Sequence, residues 1–199
     1  MFAPFKRIVA GLAALLLTAC SAQQNDVYPT QSVVRLSPSF TGEFSLTDLQ
    51  GNPVTQDDFG EKIRLIYFGF TMCPDVCPID FGVMSGALNA LGDDAQAVAP
   101  IFITIDPQRD TPQRIADFFA FDERVIGLTG SDEALADARD AFKVFAQIVP
   151  LPDSALNYTV DHTRFFFIVD EKAQPQLAVI GGVNAQELAA VVRRSITDM

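Results

Sequence analysis

Residues 63–78 read IRLIYFGFTMCPDVCP. The segment from Ile63 to Phe70 is almost entirely aliphatic or aromatic, which is the pattern of a β-strand buried on both faces. From about Val76 to Leu91, apolar residues recur every three or four positions, and this spacing predicts a helix directly after the strand. These apolar positions are Cys77, Phe81, Met84, Leu88 and Leu91. The stretch therefore predicts a buried strand that passes into a helix at a pair of cysteines.

Outward from this unit, the pattern alternates between strands and helices. A short hairpin is predicted at 43–53, and further strands at 100–105, 158–162, 164–169 and 176–180. Helix starts are marked by capping residues at Thr111, which precedes a proline, at Ser131, and at Asn184 with Glu187 three positions later. We expect the first of these helices to end near residue 121 and the last near residue 196. The alternation predicts an α/β fold of three layers, thioredoxin-like, around a central mixed sheet.

The composition fits one globular domain. The chain has 199 residues, 49% of them apolar, which is enough to build a core without disulfides. Its formal charge is −11, from 25 acidic and 14 basic residues. That balance argues against a surface that holds nucleic acid or anionic lipid by charge, and it favours a positively charged partner or a metal cation.

The N-terminus has the parts of an export signal. Lys6 and Arg7 are followed by an apolar run, Ile8 to Leu17. This run is about half of the roughly 20 residues that a membrane-spanning helix needs, so we interpret it as a cleaved signal. The run ends in Leu17-Thr18-Ala19-Cys20, which resembles a bacterial lipobox, and this makes Cys20 the predicted site of lipidation. The alternative is an ordinary secretory signal with an incidental cysteine.

This interpretation divides the chain into three parts. We expect a lipoprotein signal peptide at 1–19, a lipidated flexible tether at 20–38, and the folded domain at 39–199. The domain would then lie in the cell envelope, facing the periplasm, on a membrane lipid anchor. Ser21 favours the outer membrane by the enterobacterial sorting rule, but that rule does not hold in all bacteria, and we expect the inner membrane.

Cys73 and Cys77 are the first candidates for chemistry. Four positions apart on a helix, their Cβ atoms would lie about 5–6 Å from each other, close enough to chelate a soft metal ion or to form a disulfide. A helix N-terminus also lowers the pKa of a thiol. Thioredoxin-like oxidoreductases usually have two residues between their cysteines, so the three found here weaken the interpretation as a simple dithiol enzyme. The alternative without chemistry is two buried cysteines that pack as small apolar side chains.

His162 is the sole histidine and the candidate third ligand. It lies at the break between the predicted strands 158–162 and 164–169, and a lone histidine is more often an ordinary surface or core residue than a ligand. Two thiolates and one imidazole suit Cu(I) or Cu(II) better than structural zinc, which usually takes four protein ligands. Zinc remains the alternative if a carboxylate such as Asp75 or Asp161 joins the set.

Four motifs occur in an order that resembles one known family. They are Phe68-Gly69-Phe70-Thr71-x-Cys73-Pro74-Asp75-x-Cys77-Pro78, Asp106-Pro107-x-Arg109-Asp110-Thr111-Pro112, Gly127-Leu128-Thr129-Gly130 and Val160-Asp161-His162-Thr163. Together they make the chain, from about residue 40 to the C-terminus, similar to the Sco/SenC copper-delivery proteins, which serve cytochrome c oxidase assembly.

The resemblance implies a thioredoxin-like fold with one copper ion per chain, as Cu(I) or Cu(II), bound by Cys73, Cys77 and His162. The implied partners are the copper-site subunit of a cytochrome c oxidase and another periplasmic copper chaperone. We expect Asp106, Arg109 and Asp110 to shape the loop beside the site by pairing charges. We expect Asp75 and Asp161 to orient the ligands.

Two functions from different classes follow. The leading hypothesis is a metallochaperone that delivers copper to the dinuclear site of the oxidase. The alternative is a thiol:disulfide oxidoreductase in which Cys73 and Cys77 are the catalytic dithiol that reduces the recipient's cysteines. A peroxidase is disfavoured because Phe70, not threonine, stands three residues before Cys73. The sequence contains no evidence on a sensor role.

Overall fold

A computed structural model describes residues 32–73 and 76–198. It contains ten strands and four α-helices in the described part of the chain. They are β1 (Val33–Arg35), β2 (Ser45–Asp48), β3 (Pro53–Thr55), β4 (Ile63–Gly69), α1 (Val76–Leu91), β5 (Val98–Thr104), α2 (Pro112–Phe118), β6 (Ile126–Thr129), α3 (Asp132–Ala141), β7 (Ala146–Pro150), β8 (Tyr158–His162), β9 (Phe165–Val169), β10 (Pro175–Ile180) and α4 (Ala185–Thr197).

Eight of these strands form one mixed sheet in the order β1-β10-β9-β4-β5-β6-β2-β3. Strands β4, β5 and β6 run parallel, and the other pairings in the sheet are antiparallel. The two remaining strands, β7 and β8, form a separate antiparallel hairpin in which Ala146 pairs with His162. The predicted central mixed sheet is confirmed.

The packing of two neighbouring residues on β4 shows the three layers. Tyr67 and Phe68 point to opposite faces of the sheet, because side chains alternate along a strand. The Tyr67 ring contacts Phe81 of α1 with centroids 5.2 Å apart, and the Phe68 ring contacts Phe142, just after α3, at 5.4 Å. Helices α1 and α3 therefore cover opposite faces, and α4 packs beside α1. All seven residues of β4 are buried, as predicted.

The predicted helix starts are confirmed by their caps. The side chains of Thr111 and Ser131 accept hydrogen bonds from backbone N–H groups three residues later, and Asn184 forms a capping box with Glu187. Helix α1 has the predicted bounds. Helix α2 ends at Phe118, earlier than expected, because the chain turns there and places Asp122 within 2.5 Å of the Ser85 hydroxyl on α1.

Three short strands were not predicted. Strand β1 lies inside the segment predicted as a flexible tether, where Val33 and Val34 pair with β10 at the edge of the sheet. Strand β6 has only four residues, and β7 is largely exposed, so neither has a strong apolar pattern. The predicted signal peptide and Cys20 lie outside the described residues. In the part of the chain that the structure describes, no helix has the length and apolar character required to cross a membrane.

Candidate metal centre

The two cysteines lie where β4 gives way to α1. The backbone N–H of Cys73 donates to the Phe70 carbonyl at 3.4 Å, and the N–H of Cys77 donates to the Cys73 sulfur, also at 3.4 Å. Cys77 is fully buried and Cys73 is half-buried. The two residues are not joined by a disulfide. The Cys73 sulfur therefore lies at the N-terminal end of α1, where the helix dipole favours negative charge.

His162, at the end of β8, faces the buried cysteine. Its Nε2 atom lies 3.6 Å from the Cys77 sulfur, and its Nδ1 atom lies 2.9 Å from the Thr163 carbonyl oxygen. A carbonyl oxygen only accepts hydrogen bonds, so this geometry assigns the ring proton to Nδ1. The lone pair of Nε2 is then directed at the sulfur, and this is the tautomer in which Nε2 can bind a metal ion.

Two aromatic rings fix the orientation of the imidazole. The ring of Tyr67 meets it edge-on, with centroids 6.3 Å apart and planes at 90°, and the ring of Phe70 meets it at 6.0 Å and 79°. Both rings are buried. The histidine is therefore held in place by β4 and the segment that follows it, the same part of the chain that leads to Cys73.

The environment raises the pKa of the Cys77 thiol, contrary to the prediction from the helix N-terminus. The main cause is the hydrogen bond that it shares with the Cys73 side chain, and burial is the second. Both favour the neutral thiol over the thiolate. A metal ion that binds Cys77 must therefore displace a proton.

The three candidate ligands are near one another but do not yet surround a common point. No group of three cysteine, histidine or acidic side chains within the described ranges is already arranged to hold a metal ion. The contact between Cys77 and His162 is preformed, and Cys73 is linked to Cys77 by the hydrogen bonds described above. Two sulfurs and one imidazole nitrogen are soft and borderline donors, so the chemistry of the set fits copper.

The loop after β5 is tied to the histidine strand by a charged pair. Arg109 donates to the Asp106 carboxylate at 2.5 Å, and to the carbonyls of Leu156 and Tyr158. Its guanidinium stacks 3.6 Å from the centroid of the Tyr158 ring. The Tyr158 hydroxyl donates to Asp106 at 2.7 Å, and burial together with this bond raises the pKa of Tyr158 to about 12. The predicted charge pairing is present for Asp106 and Arg109.

Asp110 acts differently from the prediction. Its buried carboxylate accepts hydrogen bonds from the backbone N–H and the hydroxyl of Thr71 and from the hydroxyl of Thr104. Burial is the largest influence on this carboxyl and raises its pKa. Asp110 therefore ties the segment before Cys73 to the end of β5 by hydrogen bonds to hydroxyl groups and not by an ion pair.

The two aspartates expected to orient the ligands have different outcomes. Asp75 lies outside the described residues. Asp161 is exposed on β8 and the structure gives the Thr163 carbonyl as the partner of the His162 ring, so the role of Asp161 stays a prediction.

Sequence reasoning missed a second ion pair near the site. The fully buried carboxylate of Asp80 binds the guanidinium of Arg164 through two nitrogens. Asp80 follows Cys77 by three residues on α1, and Arg164 follows His162 by two, but neither position by itself predicts that the two side chains meet.

Comparisons with known proteins agree with this geometry. The SCO1/SenC family model matches residues 34–197. The chain is 44% identical to protein sco1 of Schizosaccharomyces pombe over 146 residues, which are 69% of this chain and 53% of that protein. It therefore spans about half the length of that relative. An SCO2-like protein of Rickettsia conorii is 34% identical over 165 residues, 82% of this chain and 80% of the relative.

A solved structure of a Sco protein is also similar to this chain. ScoI of Bradyrhizobium japonicum, with copper bound, superposes with a TM-score of 0.70 and 36% identity, covering 77% of this chain and 97% of that one. The matched region contains both cysteines and the histidine, since the family model extends from residue 34 to residue 197. The chain belongs to the SCO1/SenC family.

Proposed function

We propose that this protein binds one copper ion through Cys73, Cys77 and His162 and delivers it to the dinuclear copper site of a cytochrome c oxidase. The observation that carries the proposal is the contact of His162 Nε2 with the Cys77 sulfur at the start of α1. Membership of the Sco family, a family of cytochrome c oxidase assembly proteins, supports the recipient. A relative with copper bound supports the metal.

The exposure of the ligands suits transfer by ligand exchange. Cys77 is buried, while Cys73 is half-buried at the edge of the site. Three protein ligands leave room on the copper for an incoming thiolate. A recipient cysteine would approach from the side of Cys73, which would be the first ligand replaced. Copper is then the cargo, and the buried Cys77–His162 pair would release it last.

The second candidate function is reduction of the recipient's cysteines, favoured by the hydrogen-bonded pair of thiols. The Cys73 thiolate, being the more accessible, would attack the recipient disulfide and form a mixed disulfide. The Cys77 sulfur would then displace the recipient thiolate. The recipient leaves as a dithiol, and Cys73 and Cys77 are left oxidised as a disulfide, which an external dithiol must reduce.

The location is also a proposal. The segment Leu17-Thr18-Ala19-Cys20 resembles a lipobox and supports lipidation of Cys20, with the domain on the periplasmic face of the inner membrane. Metabolic labelling with a fatty-acid analogue tests this. We expect the wild type to incorporate the label and the Cys20→Ser variant to lose it. Label-free wild-type protein in the soluble periplasmic fraction would contradict the lipid anchor.

One variant separates the two functions. Copper-loaded wild-type protein and His162→Ala are mixed with the reduced, copper-free soluble domain of an oxidase copper subunit, and copper in each protein is measured after separation. In parallel, both proteins, reduced and free of copper, are mixed with the oxidised domain, and its thiols are counted. We expect His162→Ala to lose copper transfer while it retains thiol exchange. Equal copper transfer by both would refute the three-ligand proposal, and Cys77→Ser serves as the control that loses both activities.

A further inference from the structure

A buried carboxylate lies one helical turn after Cys77. Asp80 is fully buried, and its Oδ2 atom accepts a hydrogen bond from the Tyr67 hydroxyl at 2.7 Å. Both oxygens also bind Arg164, with Nε 2.5 Å from Oδ2 and Nη2 2.6 Å from Oδ1. A buried carboxylate bound in this bidentate way is held firmly, because two parallel bonds fix its plane as well as its position.

Arg164 reaches Asp80 over a glycine. The backbone carbonyl of Arg164 accepts from the Gly181 N–H at 2.8 Å, and a Cβ atom at residue 181 would lie 2.5 Å from the Arg164 Cγ. The path of the arginine stem therefore requires glycine at this position. The arginine side chain is 29% exposed, whereas the carboxylate that it binds is fully buried.

The ion pair joins the two parts of the chain that supply the preformed ligands. Asp80 is three residues from Cys77 on α1, and Arg164 is two residues from His162. Tyr67 lies between them, since its hydroxyl binds Asp80 while its ring packs against the imidazole. No other ion pair within the described ranges connects α1 with the His162 segment.

We propose that Asp80 and Arg164 are positioning residues that hold Cys77 and His162 in register and keep the charge beside the bound copper balanced. This inference rests on the proposed copper binding. Without Arg164, a buried carboxylate would stand uncompensated near two thiolates. Without Asp80, a guanidinium would stand unpaired in the same place. Each change also removes the ion pair that connects α1 with the segment after His162.

The charge balance can be tested by the Cu(II)/Cu(I) potential, because a loss of packing alone would not shift it in opposite directions in two variants. A Cu(I) ion with two thiolates carries net negative charge, and Cu(II) with the same ligands is neutral. An added negative charge nearby favours Cu(II), and an added positive charge favours Cu(I). Arg164→Met and Asp80→Asn should therefore shift the Cu(II)/Cu(I) potential in opposite directions. The double variant Asp80→Asn/Arg164→Met, which is neutral like the native pair, should return it towards the wild-type value.

The positioning argument is tested without copper. His162 is the sole histidine, so a protein without a polyhistidine tag, labelled with ¹⁵N-histidine, has a single imidazole in its NMR spectrum. The wild type should show the tautomer with the proton on Nδ1. In Arg164→Met the two tautomers should exchange. Arg164→Lys, which keeps the charge but not the bidentate geometry, should restore the potential and only part of the tautomer preference.

The matched control is Arg124→Met. It removes another arginine that binds a buried aspartate, since Arg124 contacts Asp122 at 2.6 Å, and this pair also touches α1, at Ser85. Ser85 is more than two helical turns from Cys77. We therefore expect Arg124→Met to keep the wild-type tautomer of His162 and the wild-type Cu(II)/Cu(I) potential.

The possible results distinguish a failure of the positioning role, of the charge balance and of copper binding. Wild-type tautomer and potential in both Arg164→Met and Asp80→Asn, as in the control, would overturn the inference. Shifts of the same sign in the two single variants would overturn the charge balance. If Arg164→Met does not fold, the double variant, which leaves no unpaired buried charge, carries the tautomer test. Failure of the wild type to bind copper would instead refute the proposed function and would leave the tautomer test in force.

Discussion

The Nε2 atom of His162 lies 3.6 Å from the sulfur of Cys77, although 85 residues separate them in the chain. The contact exists because β4 leads into the first turn of α1, which contains Cys77. The β7–β8 hairpin places His162 at the same end of the sheet. Tyr67 and Phe70 then fix the imidazole ring. The protein therefore holds two of its three proposed ligands ready, and less ordering is needed when copper arrives.

The raised pKa of Cys77 predicts how copper binding depends on pH. At neutral pH this thiol is protonated, so binding releases its proton, and a higher pH weakens the competition between proton and metal. We expect the apparent affinity to rise about tenfold per pH unit for this one proton between about pH 7 and pH 9. Competition with a chelator of known pH dependence measures it.

The control for this experiment is Cys77→Ser, which removes the ionising group. The slope of log affinity against pH should fall by about one relative to the wild type. An affinity of the wild type that does not change with pH would contradict the account.

Arg109→Met tests the clamp between the β5 loop and the histidine strand. It leaves the Asp106 carboxylate buried without its cation and removes the stacking on Tyr158, so we expect a loss of about 3–5 kcal/mol in the free energy of unfolding. Urea denaturation followed by circular dichroism measures it. Lys172→Met, at an exposed pair with Glu171, should change stability by less than about 1 kcal/mol. Equal effects of the two substitutions would show that the clamp adds nothing.

The core of the fold was predictable because its signals are local. The uninterrupted apolar run predicts β4, the apolar spacing predicts α1, and the capping residues predict the starts of the later helices. The structure confirms these three predictions. The edge strand β1 was not predictable, since three residues carry no periodicity and their pairing with β10 depends on a partner about 145 residues away.

Asp122 predicts a specific response to acid. Its hydrogen bonds with Arg124 lower its pKa from the ordinary 3.8, so its contribution to stability is present above that pH and is lost as pH falls through the lowered value. We expect Asp122→Asn to cost about 1 kcal/mol at pH 7, since Arg124 is partly exposed. The difference from the wild type should vanish in strong acid. A difference that is the same at neutral pH and in strong acid would contradict this assignment.

Gly181→Ala tests the path of Arg164. The added methyl group would lie 2.5 Å from the arginine Cγ, and such overpacking costs about 1–3 kcal/mol. In an Arg164→Ala background most of that cost should disappear, because the two residues are in contact. Thermal or urea denaturation of the four proteins gives the coupling. Gly82→Ala, on α1 with no atom near the added methyl, should instead stabilise the protein by about 0.5–1 kcal/mol. An unchanged cost in the Arg164→Ala background would show that the methyl group meets something else.

The site was predictable only in part. The cysteine pair was visible because its spacing is local, and His162 because it is the sole histidine. The ion pair of Asp80 and Arg164 was not visible, because neither residue type is unusual and their contact depends on how α1 packs against the strand of His162. The direction of the Cys77 pKa was also missed, since burial and the neighbouring thiol outweigh the helix dipole.

X-ray absorption of the copper-loaded protein, combined with metal analysis, tests the central claim most directly. The account predicts one copper per chain, with two sulfur ligands and one nitrogen ligand. The nitrogen should be lost in His162→Ala, and one sulfur should be lost in each of Cys73→Ala and Cys77→Ala. Copper that keeps its nitrogen ligand in His162→Ala, or a reduced wild-type protein that takes up no copper, would contradict the three-ligand site.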